Sequence, residues 1–196
     1  DETDATNSEY IEKILSNTKR LSSLVNNVLL LSKIENQQIQ PHRETYDVTE
    51  QIRETIVALE PSWSPKNVEF DVDMDEVEYY GTESMMHHVW TNLLGNAIKF
   101  SPDGGEIKIS LHKNQSDVVF SIADNGPGLS EQAKKHLFDK FYQEDTSHKA
   151  EGNGLGLALV KRILALSDGE ITAENRPEGG CLFTVVLHVQ PTPRHV

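Results

Sequence analysis

The stretch HHVWTNLLGNAIKF, residues 87–100, constrains the fold of this chain more than any other. Its apolar residues recur at the helical period, which predicts a helix from about Thr82 to Lys99 with one face buried against a sheet. The apolar residues are Val89, Trp90, Leu93, Leu94, Ala97 and Ile98.

The same stretch carries a second, polar face. Asn92, Asn96 and Lys99 are spaced by four and three residues, so on a helix they project in nearly the same direction. An amide oxygen facing a cavity suits a hard cation such as Mg²⁺, and a lysine can meet phosphate as a point charge. From this stretch alone, the alternative of ordinary surface polar residues stays open.

Length and charge limit the kinds of protein to consider. The 196 residues suffice for one domain and an appendage, and a 37% hydrophobic content can fill a sizeable core. The formal net charge of −13 disfavours nonspecific binding to nucleic acid or to anionic membranes. The single cysteine, Cys181, cannot form an internal disulfide, which suits a reducing compartment. A start at Asp1 leads us to expect a fragment of a longer protein.

A long helical pattern opens the chain, from near Glu9 to about Gln40, and Pro41 marks its end. Its apolar residues predict a partner helix in a hairpin or bundle, and the alternative is a helix packed on its own domain. We therefore divide the chain into a helical segment, residues 1–40, a second domain, residues 41–190, and a tail, residues 191–196. The apolar residues that define the helix are Ile11, Ile14, Leu21, Leu24, Val25, Val28 and Leu31.

The remaining segments alternate between strand and helix patterns. HRETYDV reads as a short strand, Glu50 to Leu59 as an amphipathic helix, and PSWSP as a loop. Two short strands from Val68 and Val77 precede the central helix, and a hairpin follows it. After a short helix at residues 130–138 and a longer one after residue 153, two terminal strands complete the chain. The pattern predicts an α+β fold: a two-layer α/β sandwich whose mixed, mainly antiparallel sheet has helices on one face.

Two glycine-rich segments lie between the predicted hairpin and the longer helix after residue 153. DNGPG, residues 124–128, follows a strand, where glycines let the backbone approach a flat ligand and Asp124 can accept a hydrogen bond. GNGLGL, residues 152–157, precedes a helix whose free amides could cradle a phosphate. Each motif alone is weak, and neither matches the phosphate loop or the dinucleotide fingerprint.

The conjunction of motifs is specific. NLLGNAIKF, DNGPGL, FDKFYQ and GNGLGLAL, in that order, resemble the ATP-binding catalytic domain of sensor histidine kinases in the GHKL ATPase superfamily. Upstream, YIEKILSNTKRLSSLVNNVLLLSKIEN is similar to the second helix of the dimerisation and phosphotransfer hairpin of those kinases. The resemblance covers nearly the whole chain and implies the Bergerat-type ATP-binding fold.

This resemblance implies a binding site for ATP or ADP with Mg²⁺. It makes Asn96 the Mg²⁺ ligand, with Asn92 at phosphate or metal-bound water and Lys99 at phosphate, so that Asn92 and Lys99 are the catalytic candidates. Asp124 would recognise the adenine amine. The other residues implied at the nucleotide or its lid are Phe100, Gly126, Gly128, Leu129, Phe138, Phe141, Tyr142, Gly152, Gly154, Leu155, Gly156 and Leu157.

The family resemblance also implies the activity and the partners. The intact protein would transfer the ATP γ-phosphoryl group to a histidine and then to an aspartate of a response regulator. It would form a homodimer through the helical hairpin, have no nucleic-acid partner, and meet the membrane only through segments absent from this chain, which we expect to be cytoplasmic. Two alternatives are an ATP-hydrolysing enzyme of the superfamily and a protein-interaction module without nucleotide.

Several residues depart from the family pattern. None of the eight histidines has the neighbours of the family's phosphoacceptor, so we expect the upstream helix to lie outside this chain. His148 stands where many relatives have arginine, and Lys149 offers a replacement cation. Cys181 stands where relatives carry a small hydroxyl residue, and we interpret it as a buried structural cysteine.

Two polar residues of the central helix bear on the type of reaction. Asn92 replaces the glutamate of the ATP-hydrolysing relatives and cannot act as a general base, which favours transfer to a protein side chain. His88, one turn earlier, is either a catalytic base or, as we prefer, a partly buried histidine.

Overall fold

The computed structural model describes residues 2–36, 42–144 and 152–189. The helices are α1 (Glu2–Glu35), α2 (Val48–Ala58), α3 (Glu60–Trp63), α4 (Glu83–Phe100), α5 (Glu131–His136) and α6 (Gly156–Leu166), with a 3₁₀ turn at Ser64–Lys66. The strands are β1 (Glu44–Asp47), β2 (Glu69–Met74), β3 (Glu78–Gly81), β4 (Glu106–Lys113), β5 (Asp117–Ala123), β6 (Gly169–Asn175) and β7 (Cys181–His188).

The main sheet has five strands in the order β2-β4-β5-β7-β6. β2 runs parallel to β4, and every other neighbouring pair is antiparallel. β1 and β3 form a separate antiparallel pair. The predicted mixed, mainly antiparallel sheet is therefore confirmed.

Alternate residues of the central strands are buried, as period-two patterning requires. Ile107, Ile109 and Leu111 of β4 are at most 1% exposed, whereas their neighbours along the strand are partly or fully exposed. The buried face joins α4 and α6 in one core, where the Trp90 ring lies 4.8 Å from the ring of Phe120. The predicted two-layer sandwich, with helices on one face of the sheet, is confirmed.

The segment predicted as a loop at PSWSP is instead helical. Pro61 and Pro65 each lie in the first turn of a short helix, α3 and the 3₁₀ turn respectively. At that position a proline has no hydrogen bond to lose, and its fixed φ fits the helix. The prediction was wrong because proline was read only as a helix breaker. This turn presents Lys66 to the end of α4.

Lys66 caps the C-terminus of α4. Its ammonium donates to the carbonyl oxygens of Ile98 at 2.8 Å, Lys99 at 3.1 Å and Ser101 at 2.6 Å. A cation there satisfies carbonyls that have no partner within the helix and complements the negative end of the helix dipole. Lys66 thereby holds the last turn of α4.

The long helix α1 has two environments. Its last turns pack on the core with α6, where Leu31 is 6% exposed and Ile34 is 2% exposed. Earlier apolar residues are exposed, so the domain-packed alternative holds only for the end of the helix. The exposed residues are Tyr10, Ile11, Ile14, Leu15, Leu21, Val25, Val28 and Leu29.

The helix begins and ends earlier than predicted. It runs from Glu2 rather than Glu9 and ends at Glu35 rather than near Gln40. Residues 37–41 and the predicted tail at 191–196 lie outside the described part of the chain. Within residues 2–36, 42–144 and 152–189, no helix is both long enough and apolar enough to cross a membrane.

Candidate functional site

Helix α4 carries the predicted polar face. Asn92 and Asn96 are half-buried, and Lys99 is exposed one turn further on. The Asn92 Nδ2 donates to the His88 carbonyl oxygen at 2.7 Å. Because this bond occupies the amide nitrogen, the oxygen Oδ1 lies on the other side of the amide group, where it can act as an acceptor.

The glycine segment before α6 lies directly against Asn92. A Cβ added to Gly156 would lie 2.3 Å from the Asn92 Oδ1, closer than any real contact. Glycine therefore lets the first turn of α6 approach α4 while the Asn92 amide keeps this position. At the other end of the segment, a Cβ added to Gly152 would lie 3.2 Å from the Lys99 Nζ. The segment therefore follows the polar face of α4.

The aromatic segment pairs with the same glycines. The Phe141 N–H donates to the Gly154 carbonyl oxygen at 2.8 Å, and a Cβ on Gly154 would lie 2.6 Å from the Phe141 carbonyl carbon. Gly154 has a φ of +66°, which glycine adopts without strain. Phe141 has a φ of +64° and a 65% exposed side chain, a costly conformation for a phenylalanine. Elsewhere in this segment the Tyr142 ring lies 5.7 Å from the His136 ring.

The other glycine segment packs on the end of α4. A Cβ added to Gly126 would lie 2.6 Å from the Phe100 carbonyl oxygen. The Phe100 ring is 48% exposed, and the Lys99 Nζ lies 4.8 Å from its centre. Both glycine segments thus contact one helix, DNGPG at its last turn and GNGLGL along its polar face.

Asp124 is a buried carboxylate, 5% exposed. Its Oδ1 accepts the N–H of Gly126 at 2.8 Å and the N–H of Cys181 at 3.3 Å. Burial raises the pKa of Asp124, while these two N–H donors and the charge of Arg176 act in the opposite direction. Oδ2 takes part in neither of these two bonds.

The remaining predicted residues lie around these contacts in different ways. The Leu155 side chain is 1% exposed in the hydrophobic core, so this residue can offer a ligand only its backbone. Leu129 and Leu157 are partly buried against that core, as is Phe138, whose ring centre lies 5.4 Å from the Lys161 Nζ. Gly128 has a φ of +75° and lies beside Asn175.

The departures from the family pattern have structural counterparts. Cys181 is 5% exposed, and burial, with the charge of Asp124, raises its thiol pKa to about 12, which agrees with a structural cysteine. His88 is half-buried, as we preferred, and burial followed by the charge of His87 lowers its pKa. His148 and Lys149 lie outside the described residues.

Two residues near the site were missed by sequence reasoning. Arg176 donates to the Asp124 carbonyl oxygen, and Asn175 bonds the backbone of Leu129. The partners are 52 and 46 residues apart, so no local pattern could have indicated them.

The residues present fit a nucleotide with Mg²⁺. Within the described part of the chain, no three His, Cys, Asp or Glu residues are grouped so that they could hold a metal ion. Mg²⁺ usually keeps several waters and takes one or two protein ligands together with substrate phosphates. An amide oxygen on α4, next to a lysine and a glycine segment, matches that mode of binding.

The sequence comparison decides the family. Residues 81–191 match the family described as histidine kinase-, DNA gyrase B- and HSP90-like ATPase. The chain belongs to this ATPase family. The match spans more than half of the 196 residues and includes α4 and both glycine segments.

Similar proteins agree with the predicted resemblance to sensor histidine kinases. The heme sensor protein HssS of Staphylococcus saprophyticus is 32% identical over 189 residues, which cover 96% of this chain and 41% of the relative. The Acinetobacter baumannii histidine kinase AdeS superposes with a TM-score of 0.78 at 26% identity, over 92% of this chain and 84% of AdeS. Histidine kinase ThkA, solved in complex with response regulator protein TrrA, superposes with a TM-score of 0.74 at 26% identity, over 94% of this chain and 52% of the matched structure's chain.

Proposed function

We propose that this chain is the ATP-binding catalytic part of a sensor histidine kinase. The observation that carries the proposal is the contact of both glycine segments with α4, whose polar face bears two amides and a lysine. Membership of an ATPase family supports ATP as the ligand. The histidine kinase structures and the sensor protein relative support the reaction type.

In this proposal different residues along and beside α4 serve different parts of the nucleotide. Asp124 accepts a hydrogen bond from the adenine amine, and Gly126, Gly128 and Leu129 lie against the base. Asn92 and Lys99 meet the phosphates, and Asn96 offers its amide oxygen to Mg²⁺. Bound Mg²⁺ would supply positive charge that neutralises the phosphate oxygens.

The acceptor would be a histidine outside this chain. The bond between the γ-phosphorus and the bridging oxygen breaks, ADP leaves, and a phosphorus–nitrogen bond to the imidazole forms as its proton is released. Lys99 stabilises the charge that develops on the phosphate oxygens. Asn92 has no basic group to activate water, which favours transfer over hydrolysis.

The partners follow from the same proposal. The ThkA–TrrA complex supports a response regulator as the recipient of the phosphoryl group. The exposed apolar residues of α1 support a homodimer in which that stripe meets other helices. The chain spans about two fifths of the length of the curated relative, and we propose that it is the cytoplasmic part of a longer, membrane-bound sensor.

Calorimetric titration with ATP tests the ligand. We expect binding in millimolar Mg²⁺ and weaker binding in EDTA. Asn96→Asp should change this Mg²⁺ dependence, because it places a charge at the metal ligand. Asn17→Asp, on the exposed surface of α1, makes the same chemical change away from α4 and should leave binding unaltered. The absence of both binding heat and a thermal shift at millimolar nucleotide would contradict the proposal and would favour a protein-interaction module.

A longer protein that restores the upstream helix tests the reaction. We expect acid-labile, alkali-stable phosphate on that protein after incubation with ATP, as a phosphohistidine requires. Steady release of inorganic phosphate by the present chain, with no phosphoprotein in the longer one, would instead establish an ATP hydrolase.

A further inference from the structure

We propose that Asn175 and Arg176, at the end of β6, are positioning residues that set the preference for adenine by holding both ends of segment 124–129. The inference rests on the proposed function, in which Asp124 meets the adenine amine. Asn175 and Arg176 lie outside both glycine motifs, and their proposed role is in the choice of base.

Arg176 holds the first end of the segment. Its Nη1 donates to the Asp124 carbonyl oxygen at 2.9 Å, and its side chain is only 13% exposed. Its Nη2 pairs with the carboxylate of Glu178, so the guanidinium bridges the turn after β6 and the backbone of Asp124. Because the Arg176 side chain is mostly buried and its fork also bonds the backbone of Asp124, it has little freedom to move.

The turn that carries Arg176 is held by its own backbone hydrogen bonds and packs against Asp124. The Arg176 N–H donates to the Gly180 carbonyl oxygen at 3.1 Å, and the Gly179 N–H donates to the Arg176 carbonyl oxygen at 3.1 Å. Gly180 has a φ of +88°, and a Cβ there would lie 2.0 Å from the Asp124 carbonyl oxygen. The backbone of the turn therefore contacts the backbone of Asp124 directly.

Asn175 holds the other end. Its Oδ1 accepts the Leu129 N–H at 2.7 Å, and its Nδ2 donates to the Leu129 carbonyl oxygen at 2.9 Å. Its Oδ1 also lies 3.0 Å from the place where a Gly128 Cβ would be. Two consecutive residues thus fix the two ends of the six-residue segment.

This arrangement matters for base selectivity because a carboxylate discriminates between an amine and a carbonyl on the base only if its position is fixed. Adenine presents an amine donor at the position where hypoxanthine presents a carbonyl acceptor. A site built to accept that donor rejects the analogue strongly when its polar group is held and buried. Arg176 also favours the ionised form of Asp124, against the effect of burial.

The experiment compares ATP with inosine triphosphate by calorimetry in millimolar Mg²⁺. The unaltered chain should prefer ATP. Arg176→Gln and Asn175→Ala should each weaken ATP binding about tenfold, because a displaced Asp124 loses its charge-assisted hydrogen bond with the adenine amine, and change inosine triphosphate binding less than about twofold. Arg176→Lys keeps a cation and should retain more of the preference than the glutamine variant. Glu178→Gln removes only the charge of the exposed partner of Arg176 and should keep the preference intact.

Equal weakening of both nucleotides in the two variants would show a merely structural role and overturn the inference, as would unchanged ATP binding. A melting temperature measured on each variant shows whether the fold persists. If the unaltered chain binds ATP and inosine triphosphate equally, Asp124 has no role in base recognition and the inference fails. Unaltered chain that binds neither would overturn the proposed function itself, so the two failures are distinguishable.

Discussion

Asp124 combines two properties that oppose each other, a buried position and a charge. Because burial raises its pKa above 3.8, the carboxyl group binds a proton more tightly in the folded chain than in the unfolded one. The stability that protonation contributes is present below the ordinary pKa and is lost as the pH rises through the raised value. Ionised Asp124 therefore destabilises the fold at neutral pH.

Asp124→Asn should raise the melting temperature relative to the unaltered chain, by an amount that grows as the pH rises from the ordinary carboxyl pKa through the raised one and is constant above it. The amide keeps an Oδ1 for the N–H groups of Gly126 and Cys181. ATP affinity should fall, because the carboxylate that accepts the amine is lost. Calorimetric melts across pH, with one ATP titration for each protein, check both outcomes. A pH-independent difference in melting temperature would contradict the argument from burial.

Gly156→Ala should disturb the site more than the fold. The three atoms nearest to the added methyl group all belong to the Asn92 side chain, which can rotate away at little cost in stability but then leaves its place at the site. We expect ATP affinity to fall about tenfold or more, measured by titration, because the phosphate side of the site is disturbed.

Gly95→Ala is the matched control, on the helix α4 that Gly156 contacts. A Cβ on Gly95 meets nothing within 4 Å, so alanine should stabilise the fold by about 0.4–1 kcal/mol in a denaturant titration. A loss of stability in Gly95→Ala, or unchanged ATP affinity in Gly156→Ala, would contradict the described contact between Gly156 and Asn92.

At the scale of an element, the C-terminus of α4 depends on Lys66. Lys66→Met removes the donor of three carbonyl bonds and should cost about 1–2 kcal/mol of unfolding free energy. Lys108→Met is the control, since Lys108 forms ion pairs with the exposed carboxylates of Asp71 and Glu106, and its loss should cost about 0–1 kcal/mol. Denaturant titration measures both. Equal losses of unfolding free energy in the two variants would mean that the Lys66 hydrogen bonds stabilise the fold no more than the exposed ion pairs of Lys108.

The two environments of α1 predict two responses to truncation. Ile34→Ala removes a side chain that is 2% exposed and should cost about 2–5 kcal/mol. Ile14→Ala, at a position 64% exposed, should change stability by about 0.5 kcal/mol or less in the same assay. A large loss at Ile14 would indicate that the exposed stripe is already covered in solution, and concentration-dependent melting would then identify a dimer.

For the whole molecule, nucleotide binding should appear as global stability. A ligand that binds only the folded chain, at about a hundred times its dissociation constant, adds about 2.7 kcal/mol. We therefore expect ATP with Mg²⁺ to raise the melting temperature of the described core as one unit and EDTA to reverse much of the rise. A scan in which EDTA leaves the full shift would argue against the role of Asn96.

Much of this architecture could be predicted from sequence because local periodicity determines which face of an element is buried. The helix α4 and the hairpin of β4 and β5 are examples, with Ile107 and its alternate neighbours buried as expected. The short helix α3 could not be predicted in this way, since proline both begins and breaks helices.

The residues of the candidate site also differ in whether the sequence alone could identify them. The motif residues could be named from their order along the chain, but the supports of Asp124 depend on which distant turns the fold brings together. Arg176 reaches Asp124 across 52 residues of sequence, and only tertiary structure determines that contact.

The contacts of the two glycine segments with α4 have a consequence for ligand size. Gly156 lies at Asn92 and Gly126 lies at Phe100, eight residues further along the same helix. At the helical rise per residue, these two positions are about 12 Å apart along the axis. A ligand that contacts both Gly126 and Gly156 must extend along α4 over roughly that length, as a base joined through a sugar to a phosphate chain does.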